Sequence, residues 1–87
     1  MELNDVEIKP VMNRLKRARG QLDGILRMLD EGRDCEELVT QLAAVSKALD
    51  RAGFAIVASG LQQCLVNGDD MESSDVKMME KLFLSLA

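Results

Sequence analysis

A chain of 87 residues with a net charge of −4 has room for one compact domain and no second one. It has no His, Trp or Tyr, one Pro and two Cys; the missing imidazole excludes Ser-His-Asp and Cys-His catalysis, His-ligated zinc or nickel, and histidine pH switching. A hydrophobic share of 47% beside 30% charged residues is that of a folded domain, not a disordered tail.

No apolar run reaches the ~20 residues of a membrane span, and the best, Ala52 to Leu61, is broken by Gly53 and Gly60. The polar start, Met1-Glu2-Leu3-Asn4-Asp5, does not read as a signal peptide, so the expected location is the cytoplasm. In a reducing compartment two cysteines are expected to react or ligate, not to staple the fold.

Helical periodicity runs through the whole chain and strand patterning is weak, so the fold class expected is all-α, one domain over residues 1–87. Val11, Leu15, Ala18, Leu22, Ile25 and Leu29 form a single apolar stripe, with Pro10 in the first turn and Gly32 as the left-handed exit. The first helix is therefore expected at about residues 9–31. A capping box of Asp34 and Glu37 opens the second, at about 34–67, with Cys35 in its first helical position. Leu38, Leu42, Val45, Leu49, Ala52, Ile56 and Ser59 follow a 3-4 spacing along it, joined by Phe54, Val57, Leu61 and Leu65. Gly53 and Gly60 each cost about 1 kcal/mol of helix propensity and mark a place for a bend. A third helix is expected at about 73–86, capped by Ser73 or Ser74, with Val76, Met79, Leu82, Phe83 and Leu86 on its inner side.

Helix length implies assembly. A segment of some 33 residues is a rod of about 50 Å, far longer than a globule of this size, and it is apolar on more than one side. A second copy must cover part of it, which predicts a helical dimer or higher closed oligomer. Cys35 and Cys64 lie about 43 Å apart along that rod, whereas a disulfide needs Cα atoms within about 7 Å. They cannot meet within one chain unless the helix folds back. If two copies pack antiparallel about an axis between Leu49 and Asp50, Cys35 of one chain lies beside Cys64 of the other, twice per dimer. Cys35, at a helix N-terminus amid Asp34, Glu36 and Glu37, is the expected attacking sulfur, and Cys64 the resolving one.

Charge is unevenly spread. Ile8 to Leu22 holds Lys9, Arg14, Lys16, Arg17 and Arg19 and no acid, while Asp69, Asp70, Glu72, Asp75 and Glu80 face only Lys77 and Lys81 near the end. Arg14, Arg17 and Gln21 share one edge of the first helix, and Lys47 and Arg51 are i, i+4 neighbours in the second. Repeated by symmetry, these groups would make a wide cationic surface suited to DNA phosphates. No helix-turn-helix, zinc finger or RNA-binding aromatic signature accompanies them.

The run Arg14 to Ile25 (R-L-K-R-A-R-G-Q-L-D-G-I), the E-G-R-D-C of Glu31 to Cys35 and the T-Q-L-A-A-V-S-K-A-L of Thr40 to Leu49 resemble the CsoR/RcnR family of small bacterial transcriptional repressors. The resemblance extends from about Pro10 to Leu84. It implies a three-helix protomer with a long second helix, an antiparallel dimer, a dimer-of-dimers tetramer, and operator DNA released by an inducer. It points to Arg14 and Arg51 as DNA contacts, with Arg17, Gln21 and Lys47 beside them. Copper sensors of the family carry His four residues before the second Cys, where this chain has Gly60; nickel and cobalt sensors need several His. Formaldehyde sensors rely on an N-terminal Pro, and here the chain begins Met1-Glu2. A tyrosine next to the first Cys in the copper sensors corresponds to Asp34, and their outer glutamate to Glu80. The two-cysteine, His-free pattern resembles the persulfide-sensing branch, the CsoR-like sulfurtransferase repressors (CstR). In that branch reactive sulfur species convert the inter-subunit pair, here Cys35 and Cys64, to di-, tri- or tetrasulfide bridges. The reading is a cytoplasmic homotetrameric repressor with operator DNA as partner, reactive sulfur as inducer, no membrane contact, no cofactor and no resident metal. The alternatives are a Cu(I)-responsive repressor, since two thiolates can hold Cu(I) linearly, and a helical thiol carrier that does not bind DNA. Enzyme activity is not expected, because no acid–base pair or activated nucleophile suited to turnover is visible.

Overall fold

The computed structural model describes residue 3, residues 5–68, residue 70 and residues 72–87. The polar start at Met1, Glu2 and Asn4 and the acid at Asp69 lie outside the described residues. Three helices, α1 (Asp5–Asp30), α2 (Cys35–Val66) and α3 (Ser74–Leu86), form the chain, with no strand among the described residues. The all-α class read from the periodicity is the class observed.

The helix ends differ in detail from the expectation. α1 begins at Asp5, a turn before residue 9, so Pro10 lies inside the helix and not in its first turn. Pro10 withholds the bond that the Val6 carbonyl would accept, while Asp5 and Glu7 complement the positive end of the dipole and extend the helix past that gap. At the other end Gly32 takes φ +69°. Its N–H donates to the Leu29 carbonyl at 3.2 Å, and that of Arg33 reaches the Met28 carbonyl at 2.9 Å, a Schellman exit. The capping box expected at Asp34 and Glu37 does not form, because the Asp34 side chain makes no capping bond. Glu37 is taken by Arg33, whose Nε and Nη2 donate to its carboxylate at 3.0 and 3.2 Å, a charge-assisted fork stronger than a bond to a neutral N–H. α3 is capped by Ser73, which accepts from the Val76 N–H at 3.2 Å.

Among the described residues α1 and α3 do not touch; each packs on α2 alone. The result is a slab of 53 × 25 × 12 Å, essentially one helix thick. Its radius of gyration is 16.7 Å, against about 12 Å for a compact chain of this length. The apolar stripes divide by sevens. Val11, Ala18 and Ile25 of α1 are buried, as are Val45 and Ala52 of α2. Leu15, Leu22 and Leu29, and on α2 Leu42, Leu49 and Ile56, stay 40–58% exposed. One half of each stripe is used within the chain, and the other half faces outward.

Candidate functional site

Cys35 is the first residue of α2 and is exposed. The Schellman exit of α1 and the Arg33–Glu37 fork fix the turn that presents it. The hydrogen bonds and charge of Glu37, aided by Glu31, hold the exposed Arg33 guanidinium further above its ordinary pKa. Along the chain Cys35 is flanked by Glu31, Asp34, Glu36 and Glu37, and Arg33 pairs with Glu31 and Glu37.

Cys64 has the opposite surroundings. It lies two residues from the observed end of α2, only 1% exposed, in one buried cluster with Val76 and Met79 of α3. Gly60, one turn earlier on the same face, is also buried. A Cβ built on Gly60 would fall 2.6 Å from Met79 Sδ, so the missing side chain lets α3 approach α2 here. Gly53 serves the same end further along, where a Cβ would lie 3.0 Å from Leu86 Cδ1. Phe54 and Phe83 close the layer in a tilted pair, with centroids 5.3 Å apart. An open apolar groove of about 590 Å³ runs alongside, lined by Phe54, Leu61, Val76 and Phe83 among others, with Glu80 as its carboxylate.

No disulfide joins the two cysteines. Both belong to the single helix α2, 29 positions apart, and at 1.5 Å per residue that leaves about 43 Å between them. The chain by itself therefore separates the two residues that sequence reasoning paired.

Arg14, Arg17, Lys47 and Arg51 are all exposed. α1 and α2 are antiparallel about the short turn at residues 31–34, and Arg14 and Arg51 stand at nearly equal distances along the chain on either side of Gly32. Equal helical rise puts them at the same level of the slab. Gln21 differs from the other four: it is half-buried, and its Oε1 is buried with no hydrogen-bond partner among the described residues.

Sequence reasoning missed Met79 as a neighbour of Cys64. It placed Met79 on the inner side of α3 and treated Gly60 as a bend, without joining the two. The i, i+4 spacing of Gly60 and Cys64 on one face was the available signal. Among the described residues no group of three His, Cys, Asp or Glu side chains could hold a metal within one chain. No helix among them is long and apolar enough to cross a membrane.

A family described as metal-sensitive transcriptional repressor matches residues 7–85. The copper-sensing transcriptional repressor CsoR of Mycobacterium ulcerans (strain Agy99) is 43% identical over 63 residues, 72% of this chain and 53% of that protein. The uncharacterized protein YrkD of Bacillus subtilis (strain 168) is 44% identical over 50 residues, 53% of this chain and 79% of that protein. The chain spans about half the length of the copper-sensing relatives it matches. A solved structure, the nickel-responsive transcriptional regulator InrS, superposes with a TM-score of 0.69 over 99% of this chain and 92% of that one. At 24% identity, that likeness is one of fold.

Proposed function

Because the chain belongs to the metal-sensitive transcriptional repressor family, we propose that it is a repressor that holds operator DNA when reduced and releases it when Cys35 of one protomer is joined to Cys64 of another. The single observation that carries this reading is the contrast between the two thiols: one exposed at the tip of α2, the other buried some 43 Å away on the same rod. A symmetry mate running antiparallel brings unlike ends together. Leu42, Leu49 and Ile56, spaced by sevens and centred on Leu49, supply an uncovered apolar column about the required axis. Arg14, Arg17, Lys47 and Arg51 would meet phosphate, with Gln21 beside them, on a face that a dimer of dimers repeats.

The inducer class we favour is reactive sulfur, because no imidazole stands near either thiol and Gly60 occupies the position one turn before Cys64. The Cys35 thiolate attacks the sulfane sulfur of a persulfide RSSH, giving Cys35–SSH and releasing RS⁻. The Cys64 thiolate of the partner then attacks Cys35 Sγ, forming the disulfide and expelling HS⁻. If Cys35 has first gained two sulfurs from a polysulfide, attack on the middle sulfur leaves a trisulfide and again expels HS⁻. No metal or general base takes part. A second reading, a Cu(I)-responsive repressor, is favoured by the copper-sensing names of relatives such as CsoR of M. ulcerans and by the thioether of Met79 in the Cys64 cluster. A thiol carrier that ignores DNA has no such support.

Intact mass spectrometry after polysulfide, peroxide or Cu(I) treatment separates these readings. Reactive-sulfur sensing predicts covalent dimers, some carrying extra multiples of sulfur mass, together with loss of binding to duplexes selected by the reduced protein. Copper-dependent release with no sulfur-bearing dimers would instead select the second reading. A reduced protein that selects no duplex would exclude a repressor.

A further inference from the structure

The side of α1 that looks away from Leu15, Leu22 and Leu29 carries two glycines that the chain itself does not use. At about 100° per residue, Gly20 and Gly24 each stand about 200° from Leu22, one turn apart. Glycine weakens a helix interior more than any residue except proline. Neither position needs its conformational freedom, since both are helical and positive φ among the described residues occurs only at Gly32 and Gly68. A Cβ at Gly20 would meet nothing within 4 Å, and one at Gly24 only Arg27 Nη2, at 3.8 Å. Gly53 and Gly60 admit α3; Gly20 and Gly24 have no such neighbour.

The surroundings of this bare backbone are cationic. On α1, Lys9, Arg17 and Arg27 lie within about 50° of the midline between the two glycines, and no acid does. All three are exposed, and the ion pairs among the described residues engage Arg33 and Lys77 instead. On α2, Lys47 and Ala44 each stand about 200° from a leucine of the exposed column, Leu49 and Leu42, and so share this face. Lys47 is level with Arg17, and Ala44 with Gly20, because each pair is equidistant along the chain from Gly32. The result is a shallow notch, floored by Gly20, Gly24 and Ala44 and rimmed by Arg17, Lys47 and Arg27. A second copy of the chain would set like charges against each other there, whereas a polyanion is attracted.

We propose that this notch seats one sugar–phosphate strand of a DNA duplex. Bare backbone lets the strand come up to the helix surface, where Arg17, Arg27 and Lys47 reach its phosphates at short range. The inference rests on the repressor reading above and adds where the strand lies. Such a contact sets the position of the duplex and carries no sequence information.

The test sets stability against binding. Gly20→Ala and Gly24→Ala each put one methyl group into the notch and leave the charge unchanged. Each replaces a poor helix former by the best one at an open position, so each should raise the thermal midpoint, by about 4–8 °C. Fluorescence anisotropy with the full-length reduced protein should nevertheless show each variant binding the selected duplex about tenfold more weakly, the equivalent of one lost hydrogen bond to phosphate. The loss should be of equal size on a random-sequence duplex, and the sedimentation coefficient should stay that of the parent. Arg27→Ala should lower the salt slope by about one. Variants that gain stability and bind as tightly as the parent would overturn the notch alone. So would a loss confined to the selected duplex, or a lowered midpoint with a changed sedimentation coefficient, which would put the glycines between copies. A parent protein that selects no duplex would overturn this inference together with the repressor reading.

Discussion

At Cys35 and Cys64 the same functional group meets opposite surroundings, and on the proposed reading this difference would set the order of events. An exposed thiol at a helix tip would take the first reagent, and a thiol covered by Val76 and Met79 would wait for a neighbour. Limited alkylation of the reduced protein, mapped by peptide mass, should therefore modify Cys35 first and Cys64 mainly after denaturation. Equal rates at both sites would remove the distinction between attacking and resolving sulfur. The cations act at the same scale. Arg14→Ala and Arg51→Ala should each weaken duplex binding and lower the salt slope by about one, as loss of a phosphate contact does, with the oligomer intact. Fluorescence anisotropy at several salt concentrations checks this, and unchanged affinity at matched salt would remove that residue from the DNA face. Gln21, with its half-buried amide, should contribute less than either arginine.

Between helices, the contact of α3 with α2 depends on two glycines. Gly60→Ala gains about 1 kcal/mol of helix propensity but forces Met79 aside, and overpacking costs about 1–3 kcal/mol, so urea unfolding should show no stabilisation and a net loss of up to about 2 kcal/mol. The two N-caps should respond unequally. Ser73→Ala removes a formed capping bond and should cost about 1 kcal/mol, whereas Asp34→Ala removes none and should cost less by the same measurement. These ends show how far the sequence could be read. The three helices, the left-handed exit at Gly32 and the serine cap were legible, because each depends on neighbours a few residues away. The capping box at Asp34 was misread because Arg33, one residue outside the pattern, competes for Glu37. The early start of α1 was missed because Pro10 reads as a first-turn residue, although a helix loses only one bond by continuing past it. Gly60 looked like a flaw in α2 until α3 was in place; its i, i+4 spacing from Cys64 put both on one face, but that Met79 of α3 covers that face is a tertiary fact. The apolar stripes were visible, but which half faces α2 and which faces outward followed only from the packed slab.

For the molecule as a whole, a slab one helix thick leaves Leu15, Leu22, Leu29, Leu42, Leu49 and Ile56 without a second layer, and stable domains are built from at least two. A charge placed at the centre of that surface, Leu49→Glu, should lower the sedimentation coefficient to that of a smaller species. An unchanged coefficient would move the interface elsewhere. On the proposed reading Cys35 and Cys64 meet only between protomers. Its most direct test co-refolds Cys35→Ser with Cys64→Ser, treats the mixture with polysulfide, and maps the linkage by mass. Neither variant alone can form the bond; the mixture should yield a covalent dimer of the two unlike chains bridged from Cys35 to Cys64. A mixture without that bond, or a parent protein bridged within a single chain, would contradict the account.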